Sequence, residues 1–228
     1  MLQNVVAVIG PPAVGKTTLT MRLADRPAWQ VFRLREHVPE VILAATATSA
    51  DRVGWIDDLT VTRALRGYVE RVVADGAAHT VLLDNFPGTG TQVQVLLSVL
   101  GRLVPTCVVR AVELVASHDV RESRVLGRRV CHECEQDPIH DPRMPAAASA
   151  EDPERCARCG GLLHPRRGDA PRLLALRTQR YEDEAVGIRA AFEAVDIQVV
   201  ELDSDRPVEV LAGEVAGLLI PDCRRDRA

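Results

Sequence analysis

Residues 10–17 have the types and spacing of a phosphate-binding loop. They read Gly-Pro-Pro-Ala-Val-Gly-Lys-Thr and match the pattern G-x-x-x-x-G-K-[ST]. In such a loop, backbone N–H groups and the following helix N-terminus bind phosphate oxygens, the lysine bridges the outer phosphates, and the hydroxyl lies near a metal ion. We therefore predict that Lys16 and Thr17 contact a bound triphosphate. The alternative is a chance match in a glycine-bearing turn.

Lys16 is the only lysine among the 28 basic residues of the chain, and all the others are arginines. General use of arginine is consistent with a coding bias, so the exception marks a position that only an ammonium group can fill. A compact ammonium on a flexible stem reaches between phosphate oxygens, whereas a planar guanidinium would collide with the loop. The composition thus adds weight to Lys16 as a phosphate ligand.

Asp84 directly follows residues 80–83, an apolar run that reads as a buried strand. Parallel sheets present residues in this position at their carboxyl edge, where ligands bind in open α/β folds. A carboxylate there can hold magnesium, either directly or through water. The alternative is a capping or turn aspartate before Pro87.

Four cysteines have the spacing of a metal site. Cys131-x-x-Cys134 and Cys156-x-x-Cys159 are separated by residues 135–155, close to the spacing of a four-thiolate zinc centre. Zinc would contribute on the order of 10 kcal/mol to the folding of a segment that has no apolar period of its own. The alternative is a pair of disulfides, which a cytoplasmic setting disfavours.

Arginines lie on both sides of this cysteine-rich segment. They are Arg124, Arg128, Arg129, Arg166, Arg167 and Arg177. Phosphoryl transfer needs positive charge on the migrating group, and guanidinium forks suit its equatorial oxygens. The alternative is a solvated, arginine-rich surface.

Short apolar runs alternate along the chain with longer segments of helical pattern. The predicted strands are residues 4–9, 30–33, 80–83, 107–114 and 197–202. The predicted helices are residues 16–25, 38–46, 57–73, 92–103, 119–126, 172–195 and 208–219. This alternation predicts an α/β fold in which a parallel sheet of five strands has helices on both faces.

The composition limits the remaining possibilities. With 228 residues, the chain fits one domain with insertions better than two domains. Its 46% hydrophobic content excludes a disordered chain, and no apolar run approaches the roughly 18 residues of a membrane span. A net charge of −4 without a basic face argues against a nucleic-acid partner. Because no export signal is visible at the start, we expect a cytoplasmic protein.

Further motifs strengthen a family resemblance. Residues 84–89 read D-N-F-P-G-T and are followed by Gln92, and residues 124–131 read R-V-L-G-R-R-V-C. The third group comprises residues 156–161, residues 166–169, and Arg177 four positions before Tyr181. Together with the loop, these motifs resemble the adenylate kinases and related nucleoside monophosphate kinases, particularly those whose lid carries zinc.

This resemblance implies a P-loop kinase with one core domain, residues 1–228, and two insertions. Residues 30–62 would bind the acceptor, and residues 128–168 would form the zinc lid. The resemblance also implies ATP and Mg²⁺ as cofactors besides the structural Zn²⁺. We expect a monomer with a nucleotide-like acceptor and no membrane or nucleic-acid partner.

The resemblance implies a role for each matching residue. The side chains that would neutralise the transferred phosphoryl group are Lys16, Arg128, Arg166 and Arg177. The site for ATP and magnesium would comprise Gly10, Ala13, Gly15, Lys16, Thr17, Thr18, Asp84, Arg124 and Asp169. Within this set, Arg124 would lie against the base of ATP, and Asp169 would help to fasten the closed lid.

The acceptor side departs from the family pattern. Gly88 stands where the family has the arginine of D-G-F-P-R-T, and the pattern T-G-D-x-x-R is absent. Its arginine is either missing or has moved to Arg33 or Arg35. The candidate acceptor-binding residues are Arg33, Arg35, Asn85 and Gln92.

The leading functional hypothesis is an ATP-dependent kinase that transfers the γ-phosphoryl group to a nucleoside monophosphate or a nucleotide-like acceptor. One alternative is a kinase for a nucleoside or other small molecule without a phosphate. Another is an ATP-binding protein without catalytic activity.

Overall fold

Five parallel strands form the central sheet of the computed structural model, which describes residues 1–48, 56–135, 142 and 144–219. The described residues contain seven strands in all: β1 (Asn4–Ile9), β2 (Trp29–Phe32), β3 (Thr80–Asp84), β4 (Val108–Val115), β5 (Arg129–Val130), β6 (His164–Pro165) and β7 (Val199–Asp203). The sheet has the order β2-β3-β1-β4-β7, and β5 pairs with β6 in a separate antiparallel hairpin. The predicted α/β fold with a five-stranded parallel sheet is confirmed.

Seven helices connect these strands within the described residues. They are α1 (Lys16–Ala24), α2 (Glu40–Thr48), α3 (Asp58–Asp75), α4 (Gly90–Leu103), α5 (His118–Gly127), α6 (Pro171–Glu193) and α7 (Val208–Gly217). The side chains of Asp57, Thr89 and Ser117 each accept a hydrogen bond from a backbone N–H three residues further along. These caps explain where α3, α4 and α5 begin.

The start of α2 differs slightly from the prediction of a helix over residues 38–46. A short 3₁₀ turn, Leu34–His37, precedes the helix, and Val38 has an extended backbone with φ −105° and ψ 135°. Pro39 follows, and a proline disfavours helical geometry in the residue before it. The α-helix therefore begins at Glu40.

Side chains of β1 alternate between the two faces of the sheet, as the period of a strand requires. Val5, Ala7 and Ile9 pack with α3, α4 and α6, whereas Val6 and Val8 pack with α1 and α7. Burial of a large apolar side chain contributes roughly 1.5–3 kcal/mol, so both layers stabilise the sheet. The carboxyl ends of its strands meet at one edge.

Helices α4 and α6 approach closely at two glycines. A Cβ atom on Gly90 would lie 2.8 Å from the carbonyl oxygen of Gly187. No side chain fits at that distance, so the first turn of α4 packs directly on the backbone of α6. This contact fixes the C-terminal half of α6 on the core.

The cysteine-rich segment between α5 and α6 has few buried side chains. Val130, Cys131 and Cys156 are buried there, and an isolated β-bridge joins Ala148 to Cys156. Residues 136–141 and 143 of the predicted lid lie outside the described residues, as do residues 49–55 of the predicted acceptor segment. No helix in the described ranges is both long enough and apolar enough to cross a bilayer.

Candidate active site

The loop between β1 and α1 requires unusual backbone geometry. Gly10 has φ +140°, and a Cβ atom there would lie 2.5 Å from the carbonyl oxygen of Leu114. Gly15 has φ +92° and precedes the first residue of α1. Both positions need glycine, because other residues rarely adopt these angles and the backbone of β4 leaves no room at Gly10. Ala13 also has a positive φ of 67°.

Lys16 folds back across this loop. Its Nζ atom donates hydrogen bonds to the carbonyl oxygens of Gly10 and Pro11, each at 2.6 Å. Burial and the nearby Arg177 guanidinium lower the pKa of Lys16 from 10.5 to about 7. Asp84 acts in the opposite direction. The ammonium group is therefore repelled by neighbouring positive charges, and a bound anion would offset this repulsion.

Asp84 lies at the end of β3, as predicted, and is buried. The Thr17 hydroxyl donates to Asp84 Oδ1 at 3.3 Å, and Arg33 Nε donates to Asp84 Oδ2 at 3.0 Å. A carboxylate and a hydroxyl oxygen thus converge beside the loop. These two oxygen donors fit a magnesium ion, which is bound in proteins through few side chains and several waters.

The predicted arginines gather around Lys16. Arg128 Nε lies 3.1 Å from Asp169 Oδ2, and Arg177 Nη1 donates to the carbonyl oxygen of Gly168 at 2.9 Å. Burial and the charge of Arg166 lower the pKa of Arg177 to about 10. Arg128 and Arg166 also help to lower the pKa of Lys16. Four cationic groups therefore converge at the mouth of the loop.

Arg124 joins three parts of the chain. Its Nη2 atom donates to the carbonyl oxygen of Ser204 at 2.5 Å, and its Nη1 atom donates to Ser204 Oγ at 3.2 Å and to the Ala13 carbonyl oxygen at 3.5 Å. Ser204 follows β7 and is buried. No sequence pattern indicates Ser204, because its contact is with a residue 80 positions away in the chain. Thr18 is exposed on the first turn of α1.

Gln92 and Asn85, two of the predicted acceptor-binding residues, lie on either side of Pro87 in the chain. The Gln92 Oε1 atom accepts a hydrogen bond from the Gly88 N–H at 2.9 Å, and Gln92 is buried. Asn85 is exposed and has φ +57°. Gln92 therefore holds the loop before α4, with Asn85 at the surface of the same loop.

An aromatic cluster supports the segment after β2. Phe32 stacks on His37 with ring centroids 5.2 Å apart, and it also contacts Tyr68 at 5.0 Å and Phe86 at 5.6 Å. Phe32 is fully buried, so the cluster anchors residues 32–37 to α3 and to the end of β3. Sequence reasoning did not identify it, since its members come from separate elements.

The four cysteines meet at one point. Their Sγ atoms all lie within 4.8 Å of one another, and the Cys134–Cys159, Cys131–Cys159 and Cys134–Cys156 distances are 3.3, 3.4 and 3.7 Å. Tetrahedral zinc with bonds of about 2.3 Å separates sulfurs by about 3.8 Å. All four are free thiols, not disulfides. The geometry fits a structural zinc ion.

The backbone of the second knuckle favours a thiolate. Hydrogen bonds from the N–H groups of Arg158 and Cys159 lower the pKa of Cys156 to about 7. Zinc binds the deprotonated sulfur, so the lowered pKa of Cys156 assists metal binding near neutral pH, whereas the neighbouring thiols raise the pKa of Cys134 to about 12 and metal binding must displace that proton. Cys107 lies apart from this cluster, in a position where burial raises its pKa to about 11.

A cavity of about 1380 Å³ adjoins the loop. Pro12 and Ala13 of the loop line the cavity at one end, and His132 and His164 of the cysteine-rich segment also line it. Side chains of α5 and α6 form the walls. Small-molecule sites commonly enclose about 300–1,000 Å³. The space beside the loop is large enough for a nucleotide.

Four cations around a phosphate-binding loop, with oxygen donors for a divalent cation beside them, define a P-loop kinase. The chain is 30% identical over 186 residues to an adenylate kinase of Treponema pallidum (strain Nichols), covering 78% of this chain and 80% of the relative. It is 27% identical over 195 residues to the adenylate kinase of Syntrophotalea carbinolica, covering 82% and 85%. No protein-family model matches the chain.

This chain belongs to the adenylate kinase family. A more distant relative, the adenylate kinase of Syntrophobacter fumaroxidans, is 23% identical over 221 residues, which cover 94% of this chain and 99% of the relative. The protein is thus an ATP-dependent phosphotransferase that uses ATP and Mg²⁺, and its four-cysteine centre supports a structural zinc ion.

Proposed function

We propose that the protein transfers the γ-phosphoryl group of ATP to the phosphate of a nucleoside monophosphate. The observation that carries this proposal is the convergence of Lys16, Arg128, Arg166 and Arg177. Binding of ATP alone does not require so many cations, whereas charge on a migrating phosphoryl group does. The names of the relatives, all adenylate kinases, support a nucleotide acceptor.

The residues divide into two functional groups. Backbone N–H groups of residues 10–17 would bind the phosphates of ATP, and Lys16 would leave the Gly10 and Pro11 carbonyls to bridge the outer ones. Thr17 and Asp84 would hold magnesium, which supplies charge neutralisation between the phosphates. Arg124 already lies against the loop at Ala13, where it would contact the ATP base.

The cysteine-rich segment would act as a lid. Arg128 lies at the start of residues 128–168, and Arg166 lies near their end. Arg128 and Arg166 already lie near Lys16, so opening of this segment would withdraw their guanidinium groups from the phosphates and closing would return them. A closed lid would exclude water, which otherwise hydrolyses ATP. The Arg128–Asp169 ion pair would help to fix the closed arrangement.

The acceptor would bind beside residues 32–37 and the loop before α4. Arg33 and Arg35 are the arginines that we propose for the acceptor, and the charge of Arg35 contributes to the lowered pKa of Arg177. Asn85 and Gln92 would face the acceptor nucleoside, although the Gln92 carbonyl oxygen already contacts Gly88. A purine monophosphate such as AMP is the acceptor we consider first.

One observation favours a different acceptor class. Arg33 is paired with Asp84, and Gly88 has no side chain, so neither position offers a free cation to an acceptor phosphate. An acceptor that lacks a phosphate would not need such a cation. A nucleoside kinase is therefore the second candidate.

An acceptor panel tests both candidates. Purified protein would be incubated with Mg²⁺·ATP and each of AMP, GMP, CMP, UMP and the four matching nucleosides, with products followed by ³¹P NMR. We expect a nucleoside diphosphate to form at about 1–100 per second with at least one monophosphate. Formation of a monophosphate from a nucleoside, without reaction of any nucleoside monophosphate, would reject the proposal.

A further inference from the structure

The Arg33 side chain occupies one oxygen of the carboxylate that would hold magnesium. Its Nε atom lies 3.0 Å from Asp84 Oδ2, and Thr17 donates to Asp84 Oδ1. The Asp84 side chain is 4% exposed and that of Arg33 is 16% exposed. Water therefore screens this ion pair poorly, and both carboxylate oxygens are engaged by protein groups.

Arg33 also reaches toward the acceptor side. Its Nη1 atom lies 3.6 Å from Glu36 Oε1, and its Nη2 atom lies 2.8 Å from Met21 Sδ. Arg33 follows β2 directly and has an extended backbone with φ −125°. Its guanidinium group therefore lies between the phosphate-binding loop and the segment that would bind the acceptor.

A divalent cation and this guanidinium group compete for the same carboxylate. Two positive groups within a few ångströms repel each other strongly in a poorly solvated site. A cation at Asp84 also removes the negative charge that attracts Arg33. Once released from Asp84, the guanidinium still has Glu36 at 3.6 Å, too far for a hydrogen bond, whereas a phosphate accepts its paired N–H donors well.

We propose that Arg33 is the ligand of the acceptor phosphate, and that it reaches this phosphate only when a divalent cation replaces it on Asp84. This inference rests on the proposed function, because it requires an acceptor that carries a phosphomonoester. Arg33 would then provide the phosphate contact for which Gly88 has no side chain. It also makes acceptor binding depend on the cation, because the acceptor would bind only when a divalent cation is bound at Asp84.

The exchange at Asp84 can be tested without any acceptor. Mn²⁺ would serve as the probe for the divalent cation, with its free concentration measured by electron paramagnetic resonance during titration of the nucleotide-free protein. We expect Arg33→Met to bind Mn²⁺ about tenfold more tightly than the wild type, because the competing cation is gone. Arg33→Lys should lie between the two.

Arg22→Met is the matched control for this arm. Arg22 forms a similar pair with Asp25 at 3.2 Å, but both side chains are at least half exposed and the pair lies away from Asp84. It should leave Mn²⁺ affinity unchanged. Equal or weaker Mn²⁺ binding by folded Arg33→Met or Arg33→Lys protein would overturn the proposal.

The second arm measures phosphate recognition. Binding of AMP and of adenosine would be compared by calorimetry in the presence of a non-hydrolysable ATP analogue, with and without Mg²⁺. In the wild type, Mg²⁺ should increase the affinity for AMP at least tenfold and leave that for adenosine unchanged. In Arg33→Met, AMP affinity should fall roughly 10- to 100-fold, and the effect of Mg²⁺ should disappear.

The two arms separate this inference from the proposed function. Unchanged AMP affinity in Arg33→Met would show that Arg33 is not the phosphate ligand, even if AMP is phosphorylated. If no nucleoside monophosphate binds to the wild type, the proposed function fails together with the assignment of the phosphate. The Mn²⁺ titration then still decides whether Arg33 and the cation exchange at Asp84.

Discussion

The Tyr181 hydroxyl donates a 2.6 Å hydrogen bond to the buried carboxylate of Glu113. Arg189 adds two hydrogen bonds to the same carboxylate, at 2.7 and 2.6 Å. Burial alone would raise the pKa of Glu113, but the bonds from Arg189 and Tyr181 hold it below its usual range. This network joins β4 to α6 one helical turn after Arg177, and it therefore orients the helix that carries a proposed catalytic residue.

We predict that Tyr181→Phe destabilises the protein by about 1–3 kcal/mol, because a buried carboxylate loses one hydrogen bond. Chemical denaturation followed by circular dichroism measures this change. Gln179→Ala, an exposed substitution on the same helix, should change stability by less than about 0.5 kcal/mol. Equal stability of Tyr181→Phe and wild type would show that the hydroxyl contributes nothing to the attachment of α6.

Arg177→Ala should lower turnover by at least about a thousandfold while folding and ATP binding persist. The reason is that the removed charge would act mainly on the migrating phosphoryl group. Steady-state kinetics with the best acceptor and calorimetric ATP binding provide the two measurements. Arg172→Ala, at an exposed position on α6, is the matched control and should retain activity. Normal turnover by Arg177→Ala would reject a catalytic role.

ATP binding should be accompanied by uptake of close to one proton at pH 8.5. Without ligand, the pKa of Lys16 is lowered to about 7, so its amine is mostly neutral at this pH. Bound phosphates would restore the ammonium form by raising that pKa. Calorimetry in two buffers of different ionisation enthalpy measures the protons exchanged. Lys16→Met should abolish the uptake, and a wild-type value near zero contradicts the prediction.

The same shift has a defined effect on stability without ligand. Between about pH 7 and 10.5 the unfolded chain binds more protons at Lys16 than the folded protein does. The free energy of unfolding therefore contains a contribution from Lys16 that rises with pH across this window. The contribution of Lys16 to stability is least favourable below pH 7, because the folded protein then holds a charged ammonium group among other positive charges. Lys16→Met should remove this slope.

Zinc removal should destabilise the cysteine-rich segment. Denaturation in the presence of a chromogenic chelator should release one zinc per chain, and removal of the metal should lower the melting temperature of this segment. The segment buries few side chains, so sulfur–metal bonds provide much of its order. Cys107→Ser should retain the metal, whereas Cys131→Ser should lose it. A metal-free segment of equal stability would refute the assignment.

The fold followed from local sequence patterns. The phosphate-binding loop at residues 10–17 and the two Cys-x-x-Cys pairs are recognised from residues only a few positions apart. The structure shows the expected strand, loop and helix, and it shows the expected cluster of sulfur atoms. The Arg33–Asp84 pair spans 51 residues, and the Tyr181–Glu113 bond spans 68. Such contacts depend on how elements pack, so a single sequence does not reveal them. The roles of the individual site residues remain predictions.

The glycine contact between α4 and α6 turns the longer helix into a lever. Gly187 is the fulcrum, and Arg177 lies ten residues before it, about 15 Å away along the helix axis, with the Tyr181–Glu113 hydrogen bond limiting the tilt between them. A tilt of about 5° at the fulcrum would swing the guanidinium by about 1.3 Å, a displacement sufficient to alter a phosphoryl-transfer rate strongly. Bulkier side chains at Gly90 would shift that fulcrum and change catalysis from a distance.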